Sequence, residues 1–441
     1  MTLSFKERIP IGEALRRAEG DRVLIAGWVH TVRVVGGVSF VVIRDRSGMV
    51  QCVAKKNVNP EAFNIVKELG SEDVVAVKGS LISSKASLGG KEIVIDEIYV
   101  ISRAAKPVPI DPDDWEKTSL ATRLDWRFLD LRSPRNRVIF EVTDVAINAM
   151  RDFYRSNGFI EIFTPKIVAE ATEGGAEVFP VIYFDRNAFL AQSPQLYKQM
   201  MVISGFERVF EVGPVYRAEK HHTNRHLTEY ESVDIEMGFI DDHEDVMRMV
   251  ERAVQHTIET VSSKYGKIVE EYFKIKLDTP KYVPRITFRE AHKLLESNGF
   301  KQPDPNDIDS DGEKALGEII EREYGTQLFY VTEYPWVKRP FYTMRKDNDP
   351  NYTKSFDLIY RGMEIVSGSQ REHRAEVLES QIKEKGLSVE SFNFFIRVFR
   401  YGAPPHGGSG LGLERLVAQM LGIKNIREAR LLPRDPERLT P

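Results

Sequence analysis

Five short β-rich runs, broken by glycine and polar turns, occupy residues 22–102 and constrain the fold of this 441-residue chain more than any other feature. They read VLIAGWVHT, VSFVVIR, MVQCVA, DVVAVKGSL and KEIVIDEIYVI. Between the third and fourth runs, NPEAFNIVKELG predicts a helix, because Asn59 can cap its start, Pro60 suits its first turn and Gly70 suits its end. The pattern predicts a small β-barrel.

This order of strands and helix is that of an OB-fold barrel, which often binds single-stranded nucleic acid. Any five-stranded barrel would look similar, so that alternative stays open here. Residues 104–118 then carry three prolines and many charges, which is typical of an inter-domain linker. The rest of the chain mixes helices and strands without regular alternation, which predicts an α+β fold.

Composition excludes several classes of protein. Apolar content is 42% and charged content is 29%, as in ordinary soluble proteins. We see no secretory signal and no apolar run long enough for a membrane span, so we expect a cytoplasmic protein without membrane contact. The single cysteine excludes an internal disulfide and a cysteine-based zinc finger. The net charge of −4 means that any contact with nucleic acid needs a local basic patch.

A glycine-rich segment, HGGSGLGLER, matches neither familiar nucleotide-binding motif. Gly408 stands where a P-loop needs lysine, and Arg415 stands where the dinucleotide fingerprint needs its third glycine. The alternating glycines 408, 410 and 412 predict a strand with one bare face, against which a planar group can lie. The following LERLVAQMLG predicts a helix with Arg415 at its start, off the apolar face. A simple strand–helix packing joint is the alternative.

Three segments, in order, resemble the motifs of class II aminoacyl-tRNA synthetases. NGFIEIFTPKI resembles motif 1, which implies a homodimer interface ending at Pro165, and its run FIEIF predicts a strand that stops at that proline. VYRAEK with RHLTEYESVDIEM resembles motif 2, and GSGLGLERL resembles motif 3. A barrel ahead of the catalytic part matches subclass IIb, the aspartyl, asparaginyl and lysyl enzymes. The archaeal and eukaryotic aspartyl type is the most similar, since the length leaves little room for the large insertion of bacterial aspartyl enzymes.

The resemblance covers nearly the whole chain and implies its domain organisation. We expect an OB-fold anticodon-binding domain at 1–104, a linker or hinge at 105–134 and a class II catalytic domain at 135–441. The catalytic domain is expected to be built on a mainly antiparallel β-sheet flanked by helices. Its first helix should open at Ser133 and Pro134.

Aspartate is the amino acid implied by LAQSPQLYKQ and VSGSQREHR. By resemblance, Lys198 and Arg371 reach the side-chain carboxylate of the substrate, as a point charge and a planar fork can do. Neutral asparagine would leave both charges uncompensated. Without the resemblance, both side chains would be interpreted as solvated surface residues. The resemblance also implies further aspartate-binding residues: Glu173, Gln195 and Asp234 for the ammonium group, with Arg217 and Ser367.

ATP chemistry follows from the same resemblance. Arg217 would bridge the amino acid carboxylate and the α-phosphate and stabilise charge during in-line attack. Tyr230 and Arg415 would sandwich the adenine ring. Arg217, through its contact with the α-phosphate, and Arg415 are therefore the predicted catalytic residues. No essential general base stands out, since the substrate carboxylate is already a nucleophile. The expected ATP-binding residues are Arg217, Glu219, Arg225, His226, Leu227, Tyr230, Glu364, Gly412 and Arg415.

Magnesium, bound with ATP, is the expected cofactor, since Mg²⁺ prefers hard oxygen ligands and substrate phosphates. The segment FDLIYRGMEIVSG offers Asp357 and Glu364, which share a face if its Arg-Gly pair forms a two-residue hairpin turn. Family precedent makes Asp357, Glu364 and Ser367 the ligands. Two solvated strand carboxylates are the alternative.

The second step would transfer the aspartyl group to the 3′-hydroxyl of the terminal adenosine of tRNA(Asp). In the barrel, the resemblance implies that Phe40 stacks on an anticodon base and that Gln51 and Glu92 read base edges. A buried core phenylalanine is the alternative. Some archaeal aspartyl enzymes also charge tRNA(Asn), and we expect His30 and residues 84–90 near the base that distinguishes the two tRNAs.

Residues 307–318, DIDSDGEKALGE, satisfy the EF-hand calcium pattern but are not expected to bind calcium. Pro303 and Pro305 precede the segment where an entering helix is needed. We expect Asp311 to cap a helix through ALGEIIERE instead.

Three other functions stay open. Lys198 argues against an asparaginyl-tRNA synthetase, and the barrel argues against a related asparagine synthetase that lacks an anticodon domain. A non-catalytic tRNA-binding paralogue could have lost any of four residues that are all present: Arg217, Glu364, Arg371 and Arg415.

Overall fold

The computed structural model describes residues 4–84, 88–171, 177–219 and 223–441. The chain divides into two compact units, Met1–Asp130 and Leu131–Pro441, and each has a hydrophobic core of its own. The predicted domain limits at residues 104 and 134 stay a prediction. None of the helices in the described ranges is long and apolar enough to cross a membrane.

The first unit contains a closed five-stranded barrel with the strand order β1-β2-β3-β5-β4, which confirms the OB-fold prediction. Its strands are β1 (Arg22–Val35), β2 (Val38–Asp45), β3 (Gly48–Lys55), β4 (Val74–Ser83) and β5 (Lys91–Ser102). Its helices are α1 (Ile11–Ala14), α2 (Pro60–Lys67), α3 (Leu120–Asp125) and α4 (Arg127–Asp130), with 3-10 turns at Phe5–Glu7, Leu88–Gly90 and Trp115–Lys117.

Helix α2 lies between the third and fourth strands, as predicted. The Asn59 side chain accepts the N–H of Ala62, and Pro60 occupies the first turn. The helix ends at Lys67, before the predicted Gly70, because the N–H of Glu68 already closes the last turn. Gly70 instead donates its N–H to Asp73 at 3.0 Å.

The second unit is a mixed helix and sheet structure. Its helices are α5 (Pro134–Ser156), α6 (Gln195–Met201), α7 (His243–Phe273), α8 (Phe288–Ser297), α9 (Ser310–Tyr324), α10 (Ala375–Glu384), α11 (Asn393–Phe399) and α12 (Leu413–Leu421), with short turns at Val202–Phe206, Trp336–Lys338 and Ile426–Ala429. Its strands are β6 (Ile160–Glu161), β7 (Ile167–Val168), β8 (Pro180–Tyr183), β9 (Arg186–Leu190), β10 (Arg208–Tyr216), β11 (Glu229–Gly238), β12 (Arg285–Thr287), β13 (Leu328–Thr332), β14 (Ser355–Tyr360), β15 (Met363–Gln370) and β16 (His406–Gly412).

Eight of these strands form one sheet in the order β12-β13-β14-β15-β16-β11-β10-β6. Only the outermost pairs, β12–β13 and β10–β6, are parallel, and the five pairs between them are antiparallel. The mainly antiparallel sheet and the α+β class are therefore confirmed. Strands β7, β9 and β8 form a separate small sheet.

The two faces of the large sheet differ sharply in polarity. On one face, apolar strand residues such as Ile235, Leu358 and Leu411 join α5, α7 and α12 in the main core. Because side chains alternate along a strand, the intervening positions lie on the opposite face. Those positions carry polar side chains or glycine: Ser232, Asp234, Glu236, Asp357, Ser367, Ser369, Gly408, Gly410 and Gly412.

Two local predictions are wrong in detail. The expected strand FIEIF is strand only at Ile160–Glu161, because its pairing with β10 extends over two residues. Helix α9 is capped by Asp309 rather than Asp311, since the Asp309 side chain accepts the N–H of Gly312 at 2.8 Å. Asp311 is already inside the first turn.

Candidate active site

A cavity of about 330 Å³ opens over the polar face of the large sheet. Most of the predicted site residues line it, although they come from distant parts of the sequence. Lys198 and Asp357 contact residues of the cavity wall, since Lys198 donates to Asp234 and Asp357 accepts from Arg339. Glu173 falls outside the described residues. The predicted residues along its wall are Gln195, Arg217, Glu219, Arg225, His226, Leu227, Tyr230, Asp234, Glu364, Ser367, Arg371, Gly412 and Arg415.

The inner charge cluster is formed by Gln195, Lys198, Asp234, Glu236 and Arg371. Lys198, on α6, donates from Nζ to Asp234 Oδ1 at 2.8 Å and to a backbone oxygen of β16 at 2.9 Å. Its Nζ also lies 3.6 Å from Glu236 Oε2. A buried ammonium is tolerated only with such partners, because taking an unpaired ion out of water costs several kcal/mol.

Arg371 holds the other side of the inner charge cluster. It makes a two-pronged ion pair with Glu236, at 2.9 Å from Nε and 3.1 Å from Nη2. It also donates to Ser369 Oγ at 2.7 Å and to Gln195 Oε1 at 3.1 Å. The remaining amide nitrogen of Gln195 is buried without a hydrogen-bond partner, so it is a donor that a ligand could satisfy.

Glu236 is a site residue that the sequence interpretation missed. It is fully buried and contacts both predicted cations. The signal was present in the segment VDIEM, since Asp234 and Glu236 are two residues apart and therefore share a strand face. Asp234 and Glu236 balance the charges of Lys198 and Arg371. A ligand carboxylate would therefore share these two cations with the carboxylates of the protein.

The glycines of β16 are needed for a different reason than predicted. A Cβ atom at position 408 would lie 2.2 Å from Glu236 Oε2, and one at 410 would lie 3.2 Å from Asp234 Oδ1. The carboxylates of β11 therefore cover part of the strand that we expected to be bare. Gly410 and Gly412 still line the cavity.

The opposite end of the cavity carries the predicted ATP-binding side chains. Arg217 follows β10, and its guanidinium carbon lies 5.7 Å from the ring centroid of Tyr230. Arg415, at the start of α12, donates from Nη1 to the backbone oxygen of Glu364 at 3.1 Å and to its carboxylate at 3.3 Å. Burial raises the pKa of the Tyr230 phenol, which keeps the ring neutral.

The loop between β10 and β11 carries further predicted residues. His226 Nδ1 lies 2.6 Å from Thr223 Oγ1, and its Nε2 lies 3.6 Å from the carboxylate of Glu219. Arg225 forms an ion pair with Glu313 of α9, a residue that we missed because it lay inside the rejected calcium pattern. Burial raises the pKa of Glu313 to about 7, with Arg225 acting in the opposite direction.

The predicted hairpin between β14 and β15 is confirmed. Arg361 and Gly362 both have positive φ, 50° and 73°, and Ile359 lies opposite Glu364. A bulge beside this pair then shifts the register, so that Asp357 lies opposite Ser367. The bulge lets Glu364 and Ser367 both line the cavity.

Arg339 is a second missed residue, and it lies between the expected metal ligands. It donates to Asp357 Oδ2 at 2.7 Å and to Ser367 Oγ at 2.9 Å, with its guanidinium 3.9 Å from the ring centroid of Tyr334. Burial raises the pKa of Asp357, and Arg339 opposes that shift. The second carboxylate oxygen of Asp357 is buried without a hydrogen-bond partner.

This oxygen-rich set fits a magnesium ion that takes most of its ligands from phosphates and water. Asp357, Glu364 and Ser367 offer only hard oxygen atoms, and one of them lacks a partner. In the described part of the chain, no three His, Cys, Asp or Glu side chains gather into a site that could hold a metal ion by themselves.

On the barrel, the three predicted anticodon residues share the outer face. Their neighbours in sequence, such as Val41, Cys52 and Ile93, fill the interior. Phe40 is half-buried under the guanidinium of Arg33, which lies 4.9 Å from its ring centroid. Gln51 lies opposite Glu92 and donates to its carboxylate at 2.8 Å. Phe40 is therefore not a barrel-core residue.

His30, at the bulge of β1, lies 2.8 Å from Asp113 Oδ2, and Arg44 donates to the same oxygen at 3.1 Å. The predicted linker is thus packed on the barrel at this point. The hydrogen bond raises the pKa of His30 and lowers that of Asp113.

Comparison with known families decides the classification. Residues 119–436 match the family model described as tRNA synthetases class II (D, K and N). The chain belongs to this class II synthetase family. Residues 23–101 match the model of the OB-fold nucleic acid binding domain.

Relatives of this class II synthetase align over nearly their whole length. This chain is 50% identical over 432 residues to the aspartate–tRNA(Asp) ligase of Thermococcus kodakarensis, and the alignment covers 97% of this chain and 98% of that one. It is 48% identical over 428 residues to the aspartate–tRNA(Asp/Asn) ligase of Aeropyrum pernix, covering 96% of each.

Solved synthetase structures share the fold. The asparaginyl-tRNA synthetase of Pyrococcus horikoshii with asparaginyl-adenylate superposes with a TM-score of 0.93 at 35% identity, covering 99% of this chain and all of that one. The aspartyl-tRNA synthetase of Entamoeba histolytica gives 0.88 at 33% identity, covering 98% and 92%.

The three synthetase motifs correspond to observed elements. The motif 1 segment runs from the C-terminal cap of α5 through β6 to the first residue of β7. Motif 2 comprises β10, its loop and β11, and motif 3 comprises β16 and α12. The pairing of β11 with both β10 and β16 brings motifs 2 and 3 side by side, which explains why one cavity contains residues from both.

Proposed function

We propose that this synthetase activates L-aspartate with ATP and transfers the aspartyl group to the 3′ end of tRNA(Asp). The observation that carries the proposal is the buried pair of cations, Lys198 and Arg371, in the inner charge cluster. Relatives that are 44–50% identical and are named as aspartate–tRNA ligases support the same substrate.

Aspartate binding is assigned to the inner charge cluster. Lys198 and Arg371 bind the side-chain carboxylate, while Asp234 and the side-chain oxygen of Gln195, which Arg371 also contacts, accept hydrogen bonds from the ammonium group. Arg217 and Ser367 complete the set, together with Glu173. The NH2 group of an asparagine side chain cannot accept from Lys198 or Arg371, so asparagine satisfies fewer of their donors than a carboxylate does and is disfavoured.

The first reaction needs no proton abstraction, because the α-carboxylate of aspartate attacks the α-phosphate directly. Arg217 contacts both groups and stabilises the negative charge that develops in the transition state. Tyr230 and Arg415 hold the adenine ring between them, with Glu219 at its edge and Leu227 and Gly412 along the wall. Positioning supplies most of the rate enhancement.

The outer phosphates of ATP are assigned to Arg225 and His226. Asp357, Glu364 and Ser367 would hold Mg²⁺, which when bound neutralises charge on the phosphates. These residues would hold the ion through oxygen atoms, while Arg339 keeps Asp357 and Ser367 in place.

The tRNA is proposed to contact both parts of the chain. Residues 1–104 bind the anticodon, with Phe40 stacking on one base and Gln51 and Glu92 reading base edges. Residues 105–134 form the hinge, and residues 135–441 carry out catalysis. Charging of tRNA(Asn) is included in the proposal, because the relative from Aeropyrum pernix is named for both tRNAs.

A homodimer through motif 1 is the proposed assembly, and the cytoplasm the proposed location. The motif 1 region exposes large apolar side chains: Phe163 is 81% exposed, Ile160 48% and Ile167 49%. Burying such a surface against a second copy is favourable.

Aspartate-dependent exchange of pyrophosphate into ATP tests the activation step, and charging of purified tRNA(Asp) and tRNA(Asn) transcripts tests the transfer. We expect exchange with aspartate and not with asparagine. Exchange that depends on asparagine would instead support an asparaginyl enzyme, the function named for one of the structural relatives.

Replacing Lys198 with leucine should abolish aspartate-dependent exchange. The change removes the substrate's cation and leaves Asp234 with an uncompensated charge, and breaking a buried ion pair costs roughly 3–5 kcal/mol. Lys276→Leu is the matched control, because that lysine is 75% exposed and pairs with exposed Asp278. Retained exchange in folded Lys198→Leu protein would contradict the assignment.

A further inference from the structure

The segment that mimics a calcium loop has a different use in this fold. Asp309 caps α9 and thereby sets the start of the helix. Glu313 follows one turn later, and its side chain leaves the helix toward the wall of the cavity. There it accepts hydrogen bonds from the guanidinium of Arg225 and, at 3.1 Å, from the backbone N–H of Glu364.

Glu313 therefore joins two elements at the end of the cavity that carries Arg225 and His226, called here the phosphate end. Arg225 belongs to the loop between β10 and β11, whereas Glu364 is the second residue of β15. The Glu313 side chain is 13% exposed and that of Arg225 is 17% exposed. A charge-assisted hydrogen bond in such a place is stronger than one in open solvent.

The contact occupies only part of the Arg225 guanidinium. Nη2 donates to Glu313, while the buried Nε has no hydrogen-bond partner. Arg225 lines the cavity, as does Glu364, so an anion in the cavity can meet the remaining donors. A free arginine side chain samples many rotamers, and this conformational freedom must be given up when it binds a phosphate.

We propose that Glu313 is a positioning residue that fixes Arg225 at the phosphate end of the cavity before ATP arrives. The inference rests on the proposed role of Arg225 toward the outer phosphates. By ordering the arginine in the free enzyme, Glu313 lowers the entropy that ATP binding has to overcome. The bond to the Glu364 amide holds the carboxylate itself in place.

The test compares Glu313→Gln, Glu313→Ala, Arg225→Gln and the double variant Glu313→Ala/Arg225→Gln in aspartate-dependent pyrophosphate exchange. Glu313→Ala should raise the KM for ATP about tenfold while kcat stays within about twofold, and Glu313→Gln should give a smaller rise, since its neutral oxygen bonds the arginine more weakly. The KM for aspartate should not change, whereas general damage to the fold would move both KM values.

Non-additive effects of the two substitutions on ATP binding would identify Glu313 and Arg225 as an interacting pair. If Glu313 acts through Arg225, the double variant should bind ATP no more weakly than Arg225→Gln alone. Equilibrium ATP binding supplies a readout independent of turnover. Glu318→Gln, at an exposed position of the same helix, is the matched control and should match the unaltered enzyme.

Two failures are distinguishable. An unchanged KM for ATP in Arg225→Gln would refute the phosphate role of Arg225 in the proposed function. A raised KM in Arg225→Gln together with an unchanged or lowered KM in Glu313→Ala would refute the positioning role, and a lowered value would show that Glu313 competes with ATP for the arginine.

Discussion

At the residue scale, the site depends on charges that are paired before any substrate arrives. Lys198 lies between Asp234 and Glu236, and two nitrogens of Arg371 donate hydrogen bonds to Glu236. Such pairing keeps buried charges tolerable in a low-dielectric interior. It also orients the donors, so that a carboxylate ligand meets a preorganised site rather than flexible side chains.

Gly408→Ala should destabilise the catalytic unit, because the new methyl group would lie 2.1 Å from the backbone oxygen of Ile235 and 2.2 Å from Glu236. Overpacking of this kind costs roughly 1–3 kcal/mol. Thermal unfolding measures the effect. Gly412→Ala is the control on the same strand, since its methyl group would meet Arg415 at an ordinary 3.5 Å. Equal melting temperatures for the two variants would contradict the packing argument.

His30 should titrate above its ordinary range because Asp113 stabilises its charged form. The raised pKa contributes stability that is fully present below the unfolded-state pKa of histidine and is lost as the pH rises through the folded-state pKa. NMR titration of the imidazole measures the shift, and Asp113→Asn should lower the pKa. Asp114→Asn, which affects a carboxylate paired with Lys117, should leave it unchanged.

At the scale of single elements, short-range signals predicted some helix limits and missed others. Asn59 and Pro60 begin α2 as expected, but α2 ends before Gly70. In α9, three aspartates at alternate positions compete for the cap, and the local sequence does not rank them. Packing decides, since the Gln302 side chain accepts the N–H of Asp309 at 3.0 Å.

Asp309→Ala should fray the first turn of α9, because the Gly312 N–H loses its acceptor, at a cost of about 1 kcal/mol. Asp311→Ala is the matched control and should have little effect, as Asp311 lies inside the helix. Amide hydrogen exchange across residues 310–313 reports the difference. Faster exchange in Asp311→Ala than in Asp309→Ala would overturn the assignment of the cap.

At the scale of the whole molecule, the two units are expected to carry separable tasks. The described residues that line the cavity belong to the second unit, whereas the proposed anticodon residues lie on the barrel of the first. We therefore expect activation of the amino acid to need only residues of the second unit, and tRNA charging to need both units.

Phe40→Ala should raise the KM for tRNA in charging roughly tenfold or more, since stacking of a base on an aromatic ring is worth about 1–3 kcal/mol. Aspartate-dependent pyrophosphate exchange should stay unchanged, because it does not involve tRNA. Phe5→Ala, which removes another exposed ring of the first unit, is the control. A parallel loss of exchange in Phe40→Ala would contradict the separation of tasks.

The sequence by itself determined the class of each unit and the succession of strands and helix in the barrel, and its resemblance to class II synthetases implied most of the residues around the cavity. These features depend on local signals, such as strand alternation, helix caps and the short motifs around Arg217 and Arg415. Charge pairing across distant segments is different, because contact partners are set by sheet register. Only the tertiary structure decided that Glu236 pairs with Arg371, that Arg339 bridges Asp357 and Ser367, and that Glu313 meets Arg225. Each pair joins residues that the chain brings together only when strands and helices pack.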